Sequence, residues 1–76
     1  MEMYVYYVNW RGKSGGKEIS KNGSITVGHK VRNAEDIKYL SEEIRQMYKF
    51  LNVIDVEVLN YILLKKLRGL NYEQNG

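Results

Sequence analysis

The chain has 76 residues, one histidine, no cysteine, a net charge of +3 and a pI near 9.2. A domain of this length buries only about 60% of the surface that its unfolded chain exposes, so its stability margin is small. The lack of cysteine excludes disulfide bonds and thiolate metal sites, which leaves oligomerisation as the reinforcement that small folds use. The mildly basic charge is compatible with an anionic partner without requiring one.

The hydrophobic content of 43% predicts a folded chain. No apolar run approaches the roughly 20 residues that a transmembrane helix needs. The first five residues have neither the basic nor the apolar region of a secretory signal, so we expect a cytoplasmic protein without a membrane partner. We expect one domain over residues 1–76, with an ordered core over about residues 3–66 and a polar tail over residues 71–76.

Residues 3–10, MYVYYVNW, predict a first strand because they are rich in aromatic and β-branched side chains. The alternation places Met3, Val5, Tyr7 and Asn9 on one face and the side chains of residues 4, 6, 8 and 10 on the other. Neither face is cleanly polar. The strand is therefore expected at the centre of a sheet or at an interface.

Residues 11–23, RGKSGGKEISKNG, are expected to form a glycine-rich loop or a loosely paired hairpin. Asn22-Gly23 fits a type I′ turn, and residues 24–27, SITV, predict the second strand, ending near Gly28. Two arrangements are open. Residues 18–20 pair with SITV across a tight turn, or the first strand pairs with SITV across the whole glycine loop.

A helix is predicted over residues 34–49. Asn33 can cap its N-terminus, and the acidic residues that follow suit the positive end of the helix dipole. Glu42 and Arg45 can form an ion pair one turn apart, and Asn52 can take the left-handed conformation that turns the chain away. The apolar side chains recur at helical spacing and are expected on one face: Ile37, Leu40, Ile44, Met47, Tyr48 and Leu51.

Residues 53–58 predict a half-buried strand with Ile54, Val56 and Val58 inward. The same period places residues 60, 62 and 64 inward and residues 59, 61 and 63 outward. Twelve residues in a strand span about 40 Å, whereas the expected radius of gyration is near 11 Å. The strand is therefore expected to bend near Asn60 or to extend onto a second subunit. A helix over residues 61–70 is the competing interpretation, because Leu63, Leu67 and Leu70 share a stripe.

The predicted fold class is α+β, with a small, mainly antiparallel sheet in β-β-α-β order and one helix packed on one face. The C-terminal third carries more apolar side chains than a single copy can cover, so we expect a homo-oligomer. Its interface is predicted at Leu59, Asn60, Tyr61 and Leu63. An amide in this apolar row must find a partner, either by fixing strand register, by marking a bulge or by binding a ligand.

The predicted ligand site combines two groups of residues. Arg11, Lys13 and Lys17 can present cations and backbone N–H groups to an anion, although Glu18 after Gly16-Lys17 breaks the P-loop pattern. Tyr6, Trp10 and Tyr61 can supply stacking or hydrophobic contact. The alternatives are a solvated hairpin tip for the basic group, and core or subunit contacts for the aromatic group.

Neither a metal site nor a cofactor is predicted, and we expect no catalysis. His29 is the single histidine, in an exposed turn without a nucleophile beside it. Asp55 and Glu57 alternate as acids do on the wet face of a strand. The alternative function is a small basic DNA- or RNA-binding module, because lysine and arginine are scattered along the chain.

Five short stretches resemble a set of small proteins of phages and prophages of Gram-positive bacteria. They are YVYYV at the first strand, the glycine loop, SITV, the helix start NAEDI and the closing VEVLNYILL. The segment KNGSITV departs from the Gly-aromatic-Gly element expected before the second strand. The resemblance implies an accessory phage protein in the host cytoplasm that counters host defence by binding. The implied partner is an anionic ligand, such as a host defence signalling nucleotide, or a host defence protein.

Overall fold

The computed structural model describes residues 2–68 and shows a three-stranded antiparallel sheet with one helix on one face. The elements in chain order are β1 (Glu2–Ser14), β2 (Lys17–Val27), α1 (Ala34–Met47), a short 3-10 helix (Lys49–Leu51) and β3 (Ile54–Arg68). The strand order is β2-β1-β3, so β1 is central. The predicted α+β class with β-β-α-β order is confirmed. The predicted tail over residues 71–76 lies outside the described part of the chain.

The long hairpin of β1 and β2 turns at Gly15 and Gly16, whose φ angles are 59° and 80°. Two consecutive positive φ angles are what a two-residue type I′ turn needs. The prediction of a turn at Asn22-Gly23 is wrong, since both residues lie inside β2, where Asn22 pairs with Asn9. Of the two alternatives for residues 11–23, the hairpin is confirmed and the loop is wrong, and the first strand pairs with residues 24–27 as the second arrangement expects.

Strand β3 runs unbroken from Ile54 to Arg68, so the strand interpretation is confirmed and the helical interpretation is wrong for residues 61–68. Its pairing with β1 shifts register at three places. Two of these shifts leave Leu59 and Leu64 without a partner on β1. Each unpaired residue moves all following side chains to the opposite face of the sheet.

The predicted faces of residues 60–62 are consequently reversed, whereas Leu59 and Leu63, predicted outward, are exposed. Tyr61 packs against the core, whereas Ile62 is 57% exposed. Ile54, predicted inward, is also exposed. The radius of gyration is 13.9 Å, larger than expected, because the long sheet stretches the molecule to 48 Å.

The core lies between α1 and one face of the sheet. Leu40 and Ile44 are the buried residues of the helix. They pack among the other buried side chains of the core, which are Tyr6, Val8, Trp10, Ile25, Val27, Val31 and Val53. No helix within residues 2–68 is long and apolar enough to cross a membrane.

Three local predictions around the helix are confirmed. The Asp36 N–H donates to the Asn33 side-chain oxygen over 3.0 Å, so Asn33 is the N-cap. Glu42 and Arg45 form an ion pair at 3.2 Å. Asn52 is left-handed, with φ 53° and ψ 45°. The helix itself ends at Met47, two residues before the predicted end, and the chain continues into the 3-10 helix.

Gly12 lies close to Val53 and to the first residue of β3. A Cβ atom at this position would lie 3.0 Å from Val53 Cγ1 and 3.1 Å from the Ile54 carbonyl oxygen. The carbonyl belongs to the backbone and cannot rotate away. Gly23, also inside a strand, has no atom within 4 Å of the same Cβ position.

We therefore expect Gly12→Ala to lower the free energy of unfolding by about 1–3 kcal/mol, the usual effect of overpacking. Gly23→Ala is the matched control and should leave stability unchanged or raise it by up to about 1 kcal/mol, because alanine restricts the unfolded chain. Urea unfolding followed by circular dichroism measures both. Equal stability of the two variants would contradict the close approach at Gly12.

Candidate functional site

The sheet separates the six residues of the predicted ligand site. Tyr6 and Trp10 lie in the core under α1 and are only 2% and 3% exposed. Tyr61 is half-buried and packs edge-on against Tyr6, with ring centroids 5.8 Å apart and an interplanar angle of 71°. In this conformation the rings of Tyr6 and Trp10 are covered by the protein's own side chains and offer no face to a ligand.

The buried aromatic residues have structural contacts instead. The Val31 N–H donates to the Tyr6 hydroxyl oxygen over 2.6 Å, which ties the connection between β2 and α1 to the sheet. The Trp10 ring packs on Tyr48 with centroids 5.1 Å apart. Both contacts join the sheet to the segments that flank the helix, so these rings hold the two layers together.

The three basic residues of the predicted site are exposed along the hairpin. Arg11 Nε donates to a Glu57 carboxylate oxygen over 2.9 Å, so its charge is partly compensated. Lys13 lies directly opposite Glu18 on β2. Lys17 follows the Gly15-Gly16 turn directly. Arg11 and Lys13 belong to the sheet face opposite the buried tyrosine and tryptophan, because side chains alternate along β1.

That opposite face, here called the open face, is the side of the sheet that α1 does not cover. Side chains of β1 at odd positions from Met3 to Lys13 belong to it, and cross-strand partners share it. The β2 side is small and polar, and the β3 side is mixed. Its members on the two outer strands are Glu18, Ser20, Asn22, Ser24, Thr26, Ile54, Glu57, Asn60, Ile62, Lys65 and Leu67.

Three asparagines align across the middle of the open face. Asn9 on β1 pairs with Asn22 on β2 and with Asn60 on β3, and we call this set the amide row. Adjacent strands lie about 4.8 Å apart, so the row extends across about 10 Å. None of the three side chains hydrogen-bonds another protein group within residues 2–68, so their donors and acceptors are free for a ligand.

The neighbours of the amide row add an aromatic ring and a cation. Tyr7 is 36% exposed and lies between Ser24 and Ile62 on one side of the row. Arg11 lies between Ser20 and Glu57 on the other side. A tyrosine ring, amides, hydroxyls and a guanidinium on one exposed surface can stack on a flat ligand and hydrogen-bond its polar edge.

The outer edge of β3 borders the open face and is apolar in its middle. Leu59, Leu63 and Leu64 are exposed there together with Ile62. These residues include two of the four predicted interface residues, and Asn60 lies among them as an exposed member of the amide row. The expectation that Asn60 is enclosed in an apolar row is therefore wrong, because the register shift at Leu59 brings it onto the open face.

A cleft of about 500 Å³ lies at the start of α1. It is lined by the carboxylates of Glu2 and Asp36 and by the cations Lys30 and Arg32. The Asp36 carboxylate accepts a hydrogen bond from the Arg32 N–H over 2.9 Å, so the N-terminus of the helix is already supplied with a negative charge. His29 is exposed beside this cleft, with its Nδ1 atom 3.8 Å from Asp36 and its ring 4.6 Å from that of Tyr39. The formal charges of Lys30 and Arg32 in this cleft are matched by those of Glu2 and Asp36.

Each acidic residue of the sheet either forms an ion pair or is exposed to solvent. Glu57 is bound by Arg11, and Asp55 has a positive φ of 54° at an irregularity of β3. At the far end of the sheet, a hydrogen bond from Lys66 lowers the pKa of the Glu2 carboxyl below its ordinary value. Across residues 2–68, no group of three or more metal-ligating side chains occurs.

The sequence indicated only part of this surface. Alternation along β1 places the side chains of Tyr6 and Trp10 on one face of the sheet and that of Arg11 on the other. The alternation alone therefore predicts that these three residues do not form one site. The amide row has no local signal, because Asn9, Asn22 and Asn60 meet only through the register of three strands.

Comparison of the chain with models of protein families, with curated proteins and with solved structures gives no match.

The adjacent residues Tyr6 and Tyr7 allow a test of the two faces. Tyr6→Phe should lower the free energy of unfolding by about 1–3 kcal/mol, because it leaves the buried Val31 N–H without an acceptor. Tyr7→Phe removes a hydroxyl from the exposed face and should change stability by less than about 0.5 kcal/mol. Thermal or urea unfolding measures both, and the reverse ranking would contradict the assignment of faces.

Proposed function

We propose that this chain is a non-enzymatic, homo-oligomeric binding protein that takes an anionic small ligand on the open face of its sheet. The observation that carries the proposal is the amide row of Asn9, Asn22 and Asn60, whose side-chain amides have no hydrogen-bond partner among residues 2–68. The strand pairing fixes the backbone of the three asparagines before a ligand binds, so binding needs to order only their side chains.

The surrounding residues support a ligand with a flat ring and a negative charge. The exposed Tyr7 ring can stack on a base, and base–aromatic stacking contributes about 1–3 kcal/mol. Asparagine side chains donate and accept at once, which suits the polar edges of nucleobases. Lys65, Lys13 and Arg11 belong to the same face and supply positive charge, which Glu57 partly compensates at Arg11. Lys17 pairs with Ser14 and therefore belongs to the other face of the sheet.

The resemblance to phage proteins extends the proposal to a biological role. Such a protein would act in the host cytoplasm and sequester a host defence signalling nucleotide. This role needs a surface that binds the nucleotide and does not need catalysis. A nucleotide combines the ring, the polar edge and the phosphate charge to which the open face is complementary.

A nucleic acid is the alternative occupant of the same face. It is favoured by the position of Tyr7, since single-stranded nucleic acids stack their bases on aromatic side chains of exposed sheets. Binding of this kind weakens steeply with salt, because each phosphate contact releases counterions. A single nucleotide makes few such contacts and should show a shallow salt dependence.

A protein partner is the second alternative, and it is favoured by a different surface. Phe50 is 73% exposed after the helix, and Met47, Leu51 and Ile54 near it in sequence are exposed as well. Exposed apolar groups of this kind mark protein contacts. Phe50→Ser should then weaken capture of a host protein while leaving nucleotide binding on the open face unchanged.

Calorimetric titration with cyclic AMP, cyclic di-AMP, ATP and an oligothymidylate tests the proposal. We expect at least one nucleotide to bind, and Asn9→Asp to weaken it by at least about tenfold, because the new carboxylate repels an anion and lacks donors. Asn33→Asp is the matched control, since aspartate caps a helix as well as asparagine does and Asn33 lies away from the open face.

Absence of binding by every nucleotide at millimolar concentration would contradict the proposal. Binding of the oligothymidylate alone, with a steep loss between low and physiological salt, would replace it with the nucleic-acid alternative. Equal effects of the two asparagine variants would show that the amide row is not the binding surface.

A further inference from the structure

The charges of β3 are divided between its two ends. Asp55 and Glu57 lie near its start, and Lys65, Lys66 and Arg68 lie near its end. Residues 58–64 between them carry no charge. Next to an antiparallel copy of itself, such a strand places acids beside bases, whereas a parallel copy places like charges together.

The outer edge of β3 is open to such a copy. β3 is an edge strand, so one side of its backbone has no partner strand among residues 2–68. Edge strands with exposed apolar side chains are ready templates for pairing with another chain. The exposed leucines and Ile62 lie in the middle of this edge, where the strand is uncharged.

We infer that two copies of this chain pair antiparallel along β3, with a two-fold axis at Tyr61, to form one continuous six-stranded sheet. The inference rests on the homo-oligomer of the proposed function and specifies its geometry. Tyr61 is the central residue of Ile54–Arg68, so this register is centred on the strand and aligns residues 57–65 of the two copies. A two-fold interface of this type is self-complementary and closed.

Over residues 57–65 the faces of the sheet agree with this register. Glu57 and Lys65 both belong to the open face, and the register places Glu57 opposite Lys65 of the second copy. Asn60 and Ile62 also belong to the open face and come opposite each other. A shift by one residue would place Glu57 opposite Lys66, which is on the helix face, and side chains on opposite faces do not meet.

The irregularities of β3 leave room for the axis. Leu59 and Leu64 are unpaired with β1, but residues 60–63 between them pair with it in unbroken register. The proposed axis passes through this regular stretch. In the pair of chains, Leu59 comes opposite Leu63 of the second copy, which removes exposed apolar surface from water on both sides of the axis.

The second copy also completes the binding surface. Asn60 of each chain lies one position from the axis, so the two Asn60 side chains are diagonal neighbours about 7–8 Å apart. The two amide rows then form one surface across the six strands, and each copy contributes half of it. The ligand of the proposed function would contact both chains.

Sedimentation equilibrium at micromolar concentration, with two reciprocal charge variants, tests the pairing. The parent chain should form a species of twice the 8.9 kDa of one chain. Glu57→Lys and Lys65→Glu should each raise the dimer dissociation constant by at least about tenfold, because each sets two like-charge pairs across the axis. Circular dichroism checks that both variants fold.

Mixing the two variants provides the decisive comparison. In the mixed dimer the introduced lysine faces the introduced glutamate, and the unchanged Glu57 of one chain faces the unchanged Lys65 of the other. The mixture should therefore recover the parent affinity, which a folding defect in either variant cannot explain. Glu18→Lys and Lys17→Glu make the same charge changes on β2, away from β3, and should dimerise as the parent does.

A monomeric parent, a dimer unaffected by the β3 variants, or a mixture that stays dissociated would each overturn the inference. Nucleotide titration of the same samples distinguishes failure of the pairing from failure of the proposed function. A monomer that binds nucleotide overturns the pairing and the homo-oligomeric part of the proposal, but retains the open face as a binding surface. A β3-paired dimer that binds no nucleotide retains the pairing and contradicts the ligand.

Discussion

The architecture depends on a difference in length between one helix and the sheet beneath it. The 14 residues of α1 extend over about 21 Å, whereas the 15 residues of β3 extend over about 50 Å. One helix can therefore cover one face of the sheet over less than half of the length of this strand. The open face and the apolar edge of β3 remain exposed in a single chain, and the proposed ligand site and the proposed pairing of two chains arise from those two surfaces.

The register shifts in β3 decide which side chains occupy these surfaces. The unpaired Leu59 turns Tyr61 toward the core and brings Asn60 into line with Asn9 and Asn22. Without that shift, Asn60 would face the helix and Tyr61 would face solvent. The irregularity thus supplies the core with an aromatic side chain and the open face with the third amide. The packing of the core and the proposed binding surface depend on the same local feature.

Features with a local physical cause could be predicted from the sequence, and features that need pairing could not. The helix, its Asn33 cap and the left-handed Asn52 each depend on a few neighbouring residues. The position of the hairpin turn could not be predicted, because Gly15-Gly16 and Asn22-Gly23 both suit a type I′ turn. Only the register of the strands decides which pair forms the turn. The register shifts and the amide row depend on which strands are neighbours, which no short stretch of sequence specifies.

Amide hydrogen exchange measured at several protein concentrations tests the central claim that a second copy covers the edge of β3. β2 is the other edge of the sheet and serves as a control within the same molecule. We predict that the outward-facing amides of residues 54–68 exchange more slowly as concentration rises, while those of the β2 edge do not change. Rapid exchange at both edges at every concentration would contradict the account.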